Sequence, residues 1–180
     1  MRAALDLARQ GFDCALVERE AELGGNLRHI YHTMEGNDPQ KLLQETMDEV
    51  MKNPHIQVFT KTELKSLNGY VGNFKSVLSS NGSEKEYDHG VVIVAVGAKE
   101  GTPTEYLYGQ DRRIITQKEL EEKVALHAGE ISRCRNIVMI QCVGSRTPER
   151  PNCSRICCSV AVKNALKIKE KNPNAKVTIL

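Results

Sequence analysis

The chain has 180 residues, enough for one compact domain or two incomplete ones; 40% are apolar, 27% are charged and none is tryptophan. With 25 Lys and Arg against 23 Asp and Glu, the net charge of +2 gives no reason to invoke nucleic acid or an anionic membrane surface. No apolar run approaches the length of a membrane span, and residues 1–10 carry Asp6 and lack a signal-peptide core, so a cytoplasmic location is expected.

The first ten residues place Ala3, Ala4, Leu5, Leu7 and Ala8 on one helical face, with Gly11 as the stop. Residues 14–17 (Cys-Ala-Leu-Val) read as a buried strand ending at Glu18. A helix feeding an acid-ended strand is the second half of a βαβ unit, whose first strand and glycine-rich turn are expected upstream. A helix over 39–53 follows, capped by Asp38, opened by Pro39 and closed by Pro54, with Leu42, Leu43, Met47, Val50 and Met51 as one apolar stripe. Strands are expected over 56–60, 63–67 and 74–79, the last two as a hairpin around residues 69–72, with Asn81-Gly82 as a tight turn. Residues 91–96 (Val-Val-Ile-Val-Ala-Val) read as a fully buried strand ended by Gly97.

A linker rich in Gly, Pro and Thr runs from Lys99 to about residue 115. Thr116-Gln-Lys-Glu119 has the capping-box pattern and opens a helix to about Leu126. A second buried strand is expected over 136–141, a helix over 157–171 and a strand over 176–180. The fold class read from this order is α/β: incomplete tandem Rossmann-like domains with a small antiparallel β insertion. The domains are residues 1–98, part of an FAD-binding domain without its first strand and Gly-x-Gly-x-x-Gly loop; 99–134, linker and helix; and 135–180, the start of a second Rossmann-like domain.

Two groups of residues carry chemistry. At the end of the first strand, the Glu18 carboxylate has the position at which a dinucleotide fold accepts hydrogen bonds from ribose hydroxyls. Gly24-Gly25-Asn26-Leu27 follows, where bare backbone allows a ligand to approach; a surface acid and a loop glycine pair is the bland alternative. The order of elements, ending in Gly97-Ala98, resembles the FAD domain of the pyridine-nucleotide disulfide reductase family. That resemblance implies an FAD site formed by Glu18, Arg19, Gly24, Gly25, Asn26, Leu27, Leu64, Gly97 and Ala98. The flavin-adjacent dithiol of those reductases is absent, since no cysteine follows Gly25 directly.

The second group stands where the family has its nicotinamide nucleotide loop. Of six cysteines, four fall within residues 142–158: Cys142, Cys153, Cys157 and Cys158. Without an export signal, clustered thiols point to metal or redox chemistry. Four thiolates are the normal ligand set of an iron–sulfur cluster. Cys157 and Cys158 begin a helix, where thiol pKa values are expected to fall, and Arg146, Arg150 and Arg155 would offset negative charge. Zinc, a Cys153–Cys157 redox disulfide and plain buried thiols are the alternatives; adjacent cysteines suit a multi-iron cluster better than one zinc ion. Cys14 reads as core and Cys134 as a free thiol in a loop, while His29 and His32 read as solvated loop histidines.

The block Gln141-Cys142-Val143-Gly144-Ser145-Arg146 with Cys153-Ser154-Arg155-Ile156-Cys157-Cys158 resembles the heterodisulfide reductase family, in its A-type polypeptide and the relatives of that polypeptide in anaerobes. The resemblance implies FAD together with a [4Fe-4S] cluster on Cys142, Cys153, Cys157 and Cys158. It implies an oxidoreductase fragment working in flavin-based electron bifurcation. The implied partners are other heterodisulfide reductase-type subunits, ferredoxin and a hydrogenase or formate dehydrogenase module. An NAD(P)H-dependent flavin disulfide reductase fragment and a zinc-binding scaffold fragment are the rival readings.

Overall fold

The computed structural model describes residues 1–180, except for the side chain of Ala128. The elements are α1 (Arg2–Ala8), β1 (Cys14–Val17), a 3-10 helix (Gly25–His29), α2 (Pro39–Lys52), β2 (Ile56–Phe59), β3 (Thr62–Tyr70), β4 (Asn73–Ser80) and β5 (Ser83–His89). They continue with α3 (Gln117–Leu126), α4 (Ala128–Ser132), β6 (Asn136–Met139), α5 (Cys157–Lys171) and β7 (Lys176–Ile179). The chain divides into two units, one of Met1–Arg28 with Gln40–Gly97 and one of His29–Pro39 with Ala98–Leu180.

In the first unit β1 and β2 pair in parallel, Cys14 opposite Ile56 and Val17 opposite Phe59. A parallel pair needs a crossover, and α2 lies within it. Leu5 and Val50 are fully buried against Ala4, Ala8, Leu23 and Ile56, with Cys14 and Met47 packed alongside. The apolar stripe of α2 is narrower than its composition suggested. Leu43 and Val50 are buried, whereas Leu42 and Met51 are exposed. A separate antiparallel sheet runs β3-β4-β5. Asn81 and Gly82 both have left-handed φ, 49° and 81°, and turn β4 into β5. β5 was not legible: Ser-Glu-Lys-Glu-Tyr-Asp-His has no apolar alternation, and such polar strands are tolerated at a sheet edge.

Residues 91–96 are not a strand, contrary to the sequence reading. Val91, Ile93, Val94 and Val96 are all more than half exposed. The cause is a missing ladder. β5 ends at His89, Gly72 donates its N–H to the Gly90 carbonyl at 2.8 Å, and none of the paired strands takes the segment that follows. An apolar run specifies burial only where a neighbour offers backbone partners.

In the second unit β6 and β7 pair in parallel across α5. Leu120, Val124, Ile131, Met139, Ala161, Ile168 and Ala175 form the core. Thr116 and Glu119 make the expected capping box: the Glu119 amide donates to Thr116 Oγ1 at 3.2 Å, and the Thr116 amide to Glu119 Oε2 at 2.6 Å. Inside the core stands an ion pair. Lys163 Nζ donates to Glu121 Oε1 and Oε2 at 2.8 and 2.7 Å, with side-chain exposures of only 10% and 3%. The Tyr31 amide donates to the same carboxylate at 2.8 Å, and Asn164 Nδ2 bonds to the carbonyl and side-chain oxygen of Gln117.

Removing one partner of a buried pair strands the other charge, which costs about 3–5 kcal/mol. Lys163→Met is therefore expected to lower the unfolding free energy of the chain by about that amount in denaturant titration. The double change Glu121→Leu/Lys163→Leu should be less destabilising than either single change, because no charge is stranded.

Candidate cofactor sites

Glu18 follows β1 directly: its amide donates to the Phe59 carbonyl at 2.8 Å, and its Oε1 accepts from the Glu20 amide at 2.9 Å. The carboxylate thus stands at the carboxyl end of a parallel pair, the end at which open α/β sheets bind ligands. Arg19 is mostly exposed and pairs with Glu20. Leu64, half exposed on β3, lies beside a bulge two residues after Thr62, whose amide donates to the Glu18 carbonyl at 3.0 Å. Gly25, Asn26 and Leu27 lie in the 3-10 helix, and the Leu27 carbonyl accepts from Gln40 Nε2 at 3.0 Å.

Gly24 adopts φ +119°, and a Cβ there would stand 2.8 Å from Leu43 Cδ1 and 2.9 Å from Arg28 Cγ. Only glycine fits. Gly25 and Gly97, at φ +50° and +65°, have open space where a Cβ would be, so their backbone can be approached from that side. Gly97 is the last residue of the first unit, and Ala98 begins the longer segment of the second.

The four thiols lie in the second unit, in the loop after β6 and at the start of α5. Cys157 and Cys158 are the first residues of that helix, and Ile156 before them gives no side-chain cap. Ser154 Oγ is 3.7 Å from Cys157 Sγ, and the Arg155 amide donates to Cys153 Sγ at 3.4 Å. Arg146 Nη1 donates to Cys142 Sγ at 3.8 Å. The Thr104 and Glu105 amides lower the Glu105 pKa most, and Arg150 is the smallest of the influences that lower it.

The expected depression of thiol pKa at this helix start is not found at Cys158. Its thiol is pushed up, first by desolvation and then by the neighbouring thiols Cys157, Cys142 and Cys153. Cys142, Cys153 and Cys157 thus all lie within electrostatic reach of Cys158. Among the described residues, no three His, Cys, Asp or Glu side chains are gathered closely enough for one metal ion. The two observations concern different spacings: a single ion draws its ligands into one tight shell, whereas a cluster distributes four thiolates over several irons. Gln141, which precedes Cys142, has a buried Nε2 without a protein partner.

Sequence reasoning missed Glu121, Lys163 and His32. Lys163 sits in the buried phase of α5 among Ala161, Asn164 and Ile168, where a charge demands a partner, and that phase was the available signal. His32 is not a solvated loop residue. Burial holds its pKa below the ordinary value, and its Nε2 is buried without a partner. It lines a cavity of about 480 Å³ with Tyr31, Met34, Lys163, Lys167 and Lys171. The three ammonium groups there are already engaged by Glu121, Glu170 and the Val124 carbonyl, so the cavity offers no unbalanced charge to a ligand.

No protein-family model matches the sequence. Curated relatives do. The chain is similar to the A-type polypeptides of heterodisulfide reductases over nearly its whole length. It is 27% identical to the second A-type iron-sulfur polypeptide of the CoB–CoM heterodisulfide reductase of Methanopyrus kandleri, over 99% of the chain and 41% of the relative. It is 26% identical to the A-type polypeptide of the H(2):CoB-CoM heterodisulfide,ferredoxin reductase of Methanothermobacter marburgensis, with the same coverage. The chain thus spans about two fifths of the length of these relatives. The alignment runs to 270 positions for 180 residues, so the relatives carry residues within the matched span that this chain lacks.

Among solved structures, the L-proline dehydrogenase of P. horikoshii superposes with a TM-score of 0.58 at 16% identity, over 99% of this chain and 32% of that one. Bacillithiol disulfide reductase from Bacillus cereus gives 0.54 at 15% identity, over 98% and 53%. The fold is accordingly the mixed α/β, Rossmann-like arrangement shared with these two structures, with a small antiparallel sheet.

Gly24→Ala tests the loop after β1. Forcing a Cβ into this space at φ +119° is expected to destabilise the chain by about 1–3 kcal/mol, seen as a lower midpoint in urea. Gly25→Ala, with open space around its Cβ, should cost less.

Proposed function

We propose that the chain is part of a flavin- and iron–sulfur-dependent oxidoreductase of the heterodisulfide reductase type, corresponding to the A-type polypeptide. In this reading residues 1–98 belong to an FAD-binding domain completed by a strand and phosphate loop from outside these 180 residues. The second Rossmann-like domain, begun by residues 135–180, holds a [4Fe-4S] cluster on Cys142, Cys153, Cys157 and Cys158. The observation that carries the reading is the placement of Cys157 and Cys158 at the start of α5, with Cys142 and Cys153 in the loop before it and the Arg146 guanidinium and Arg155 amide donating to their sulfurs. Four thiolates at such a place repel one another, and cationic iron is what relieves the repulsion. The likeness to the A-type polypeptides over 99% of the chain supports the same assignment.

The residues fit both groups. In the first unit, Glu18 would accept from the adenosine ribose, the Gly24-Gly25 backbone would line the cofactor with Asn26 and Leu27, and Leu64, Arg19, Gly97 and Ala98 would border it. In the second, the uncapped first turn of α5 supplies amide groups that favour anionic sulfur, and the buried Nε2 of Gln141 is a donor awaiting an acceptor. When bound, FAD can exchange electrons in pairs or singly, whereas the cluster carries them singly. The chain's own work is to hold the thiolates and supply countercharge through Arg146. The protein is assigned to the cytoplasm. Electron bifurcation would then engage other heterodisulfide reductase-type subunits, ferredoxin and a hydrogenase or formate dehydrogenase module.

Each of Cys142→Ser, Cys153→Ser, Cys157→Ser and Cys158→Ser is expected to lower iron content after anaerobic reconstitution, while Cys14→Ser and Cys134→Ser leave it unchanged. Equal iron loss on changing Cys134 would contradict the ligand set. The 180 residues contain no Gly-x-Gly-x-x-Gly loop. Their affinity for FAD, followed by flavin fluorescence, should therefore be far weaker than in a chain extended to include one. In the extended chain Glu18→Ala should weaken FAD binding.

A further inference from the structure

Arg146 bends back onto the first thiol of the loop. The Ser145 amide donates to the Cys142 carbonyl at 3.1 Å, closing a turn. Cys142, Gly144 and Arg146 all take left-handed φ, at 61°, 66° and 59°. Residues other than glycine reach that region at a cost of order 1–3 kcal/mol, so surrounding structure must impose it. The turn delivers the guanidinium to Cys142 Sγ, 3.8 Å from Nη1. The sulfur is the partner the geometry provides for the Arg146 guanidinium. Arg150, four residues on, has the same charge and is the comparison for the Arg146 contact.

We propose that Arg146 sets the reduction potential of this site by donating a hydrogen bond to the sulfur of Cys142. The inference rests on the cluster reading above. A hydrogen bond to a ligating sulfur withdraws electron density and favours the state with one more negative charge, which raises the potential. The guanidinium stays protonated at every working pH, so the effect persists across the pH range. Arg146 is a positioning and tuning residue, not a ligand.

The test uses the full chain reconstituted anaerobically with iron and sulfide, poised with dithionite and followed by electron paramagnetic resonance. Arg146→Gln is expected to move the midpoint to a more negative potential and to change the g-values of the reduced protein, with iron content unchanged. Arg146→Lys keeps the charge but not the fork, and should move the midpoint in the same direction by less. Arg150→Gln should leave both readouts where they are. A midpoint unchanged in both Arg146 variants at full iron content would overturn the proposal. So would an equal shift in Arg150→Gln, since the effect would then be diffuse charge. A wild-type chain that takes up no iron would overturn the cluster reading itself, an outcome distinct from a loaded chain with an indifferent arginine.

Discussion

The buried pair of Glu121 and Lys163 is the constraint on which the second unit depends. Glu121 comes from α3 and Lys163 from α5, and the same carboxylate accepts the Tyr31 amide from the segment His29–Pro39. Three stretches far apart in sequence are thereby fixed to one point. Lys163 lies five residues beyond Cys158 on a single helix, so the pair also orients the helix start at which two of the thiols stand. Ion pairs this deep carry a desolvation cost that rivals their attraction, so their worth lies in specifying one arrangement rather than in net stability. The neutral state of His32 belongs to the same arrangement: burial, the largest effect, holds the ring uncharged, with Lys163 and Lys167 acting in the same direction.

A second constraint is electrostatic. The first turn of α5 would ordinarily ease ionisation of a thiol, yet the Cys158 thiol is held above its usual pKa by desolvation and its three neighbours. The loop supplies one guanidinium to Cys142 and one backbone amide to Cys153.

Much of this was legible in the sequence because it is local. The capping box of α3, the Asn81-Gly82 turn and the start of α5 at Cys157 all rest on neighbouring residues, whereas the strands expected to be buried at 14–17 and 136–141 form at 14–17 and 136–139 with most residues only partly buried or exposed. What failed was non-local. Residues 91–96 have the composition of a buried strand but pair with no strand among the described residues. β5 is a strand despite its polar sequence, because β4 offers it a ladder. Leu42 and Met51 continue the apolar period of α2, yet they stay exposed while Leu43 and Val50 are buried. At the thiols, residue type and spacing suggested the ligand set. The turn that brings Arg146 to Cys142 depends on left-handed backbone at residues other than glycine, which no pattern announces.

Native mass spectrometry of the anaerobically prepared chain tests the central claim most directly, because it weighs what the four thiols hold. The account predicts an added mass of four irons and four sulfides per chain, lost when Cys153 is changed to serine. A chain that carries one zinc ion, or nothing but a disulfide, after the same preparation would contradict it.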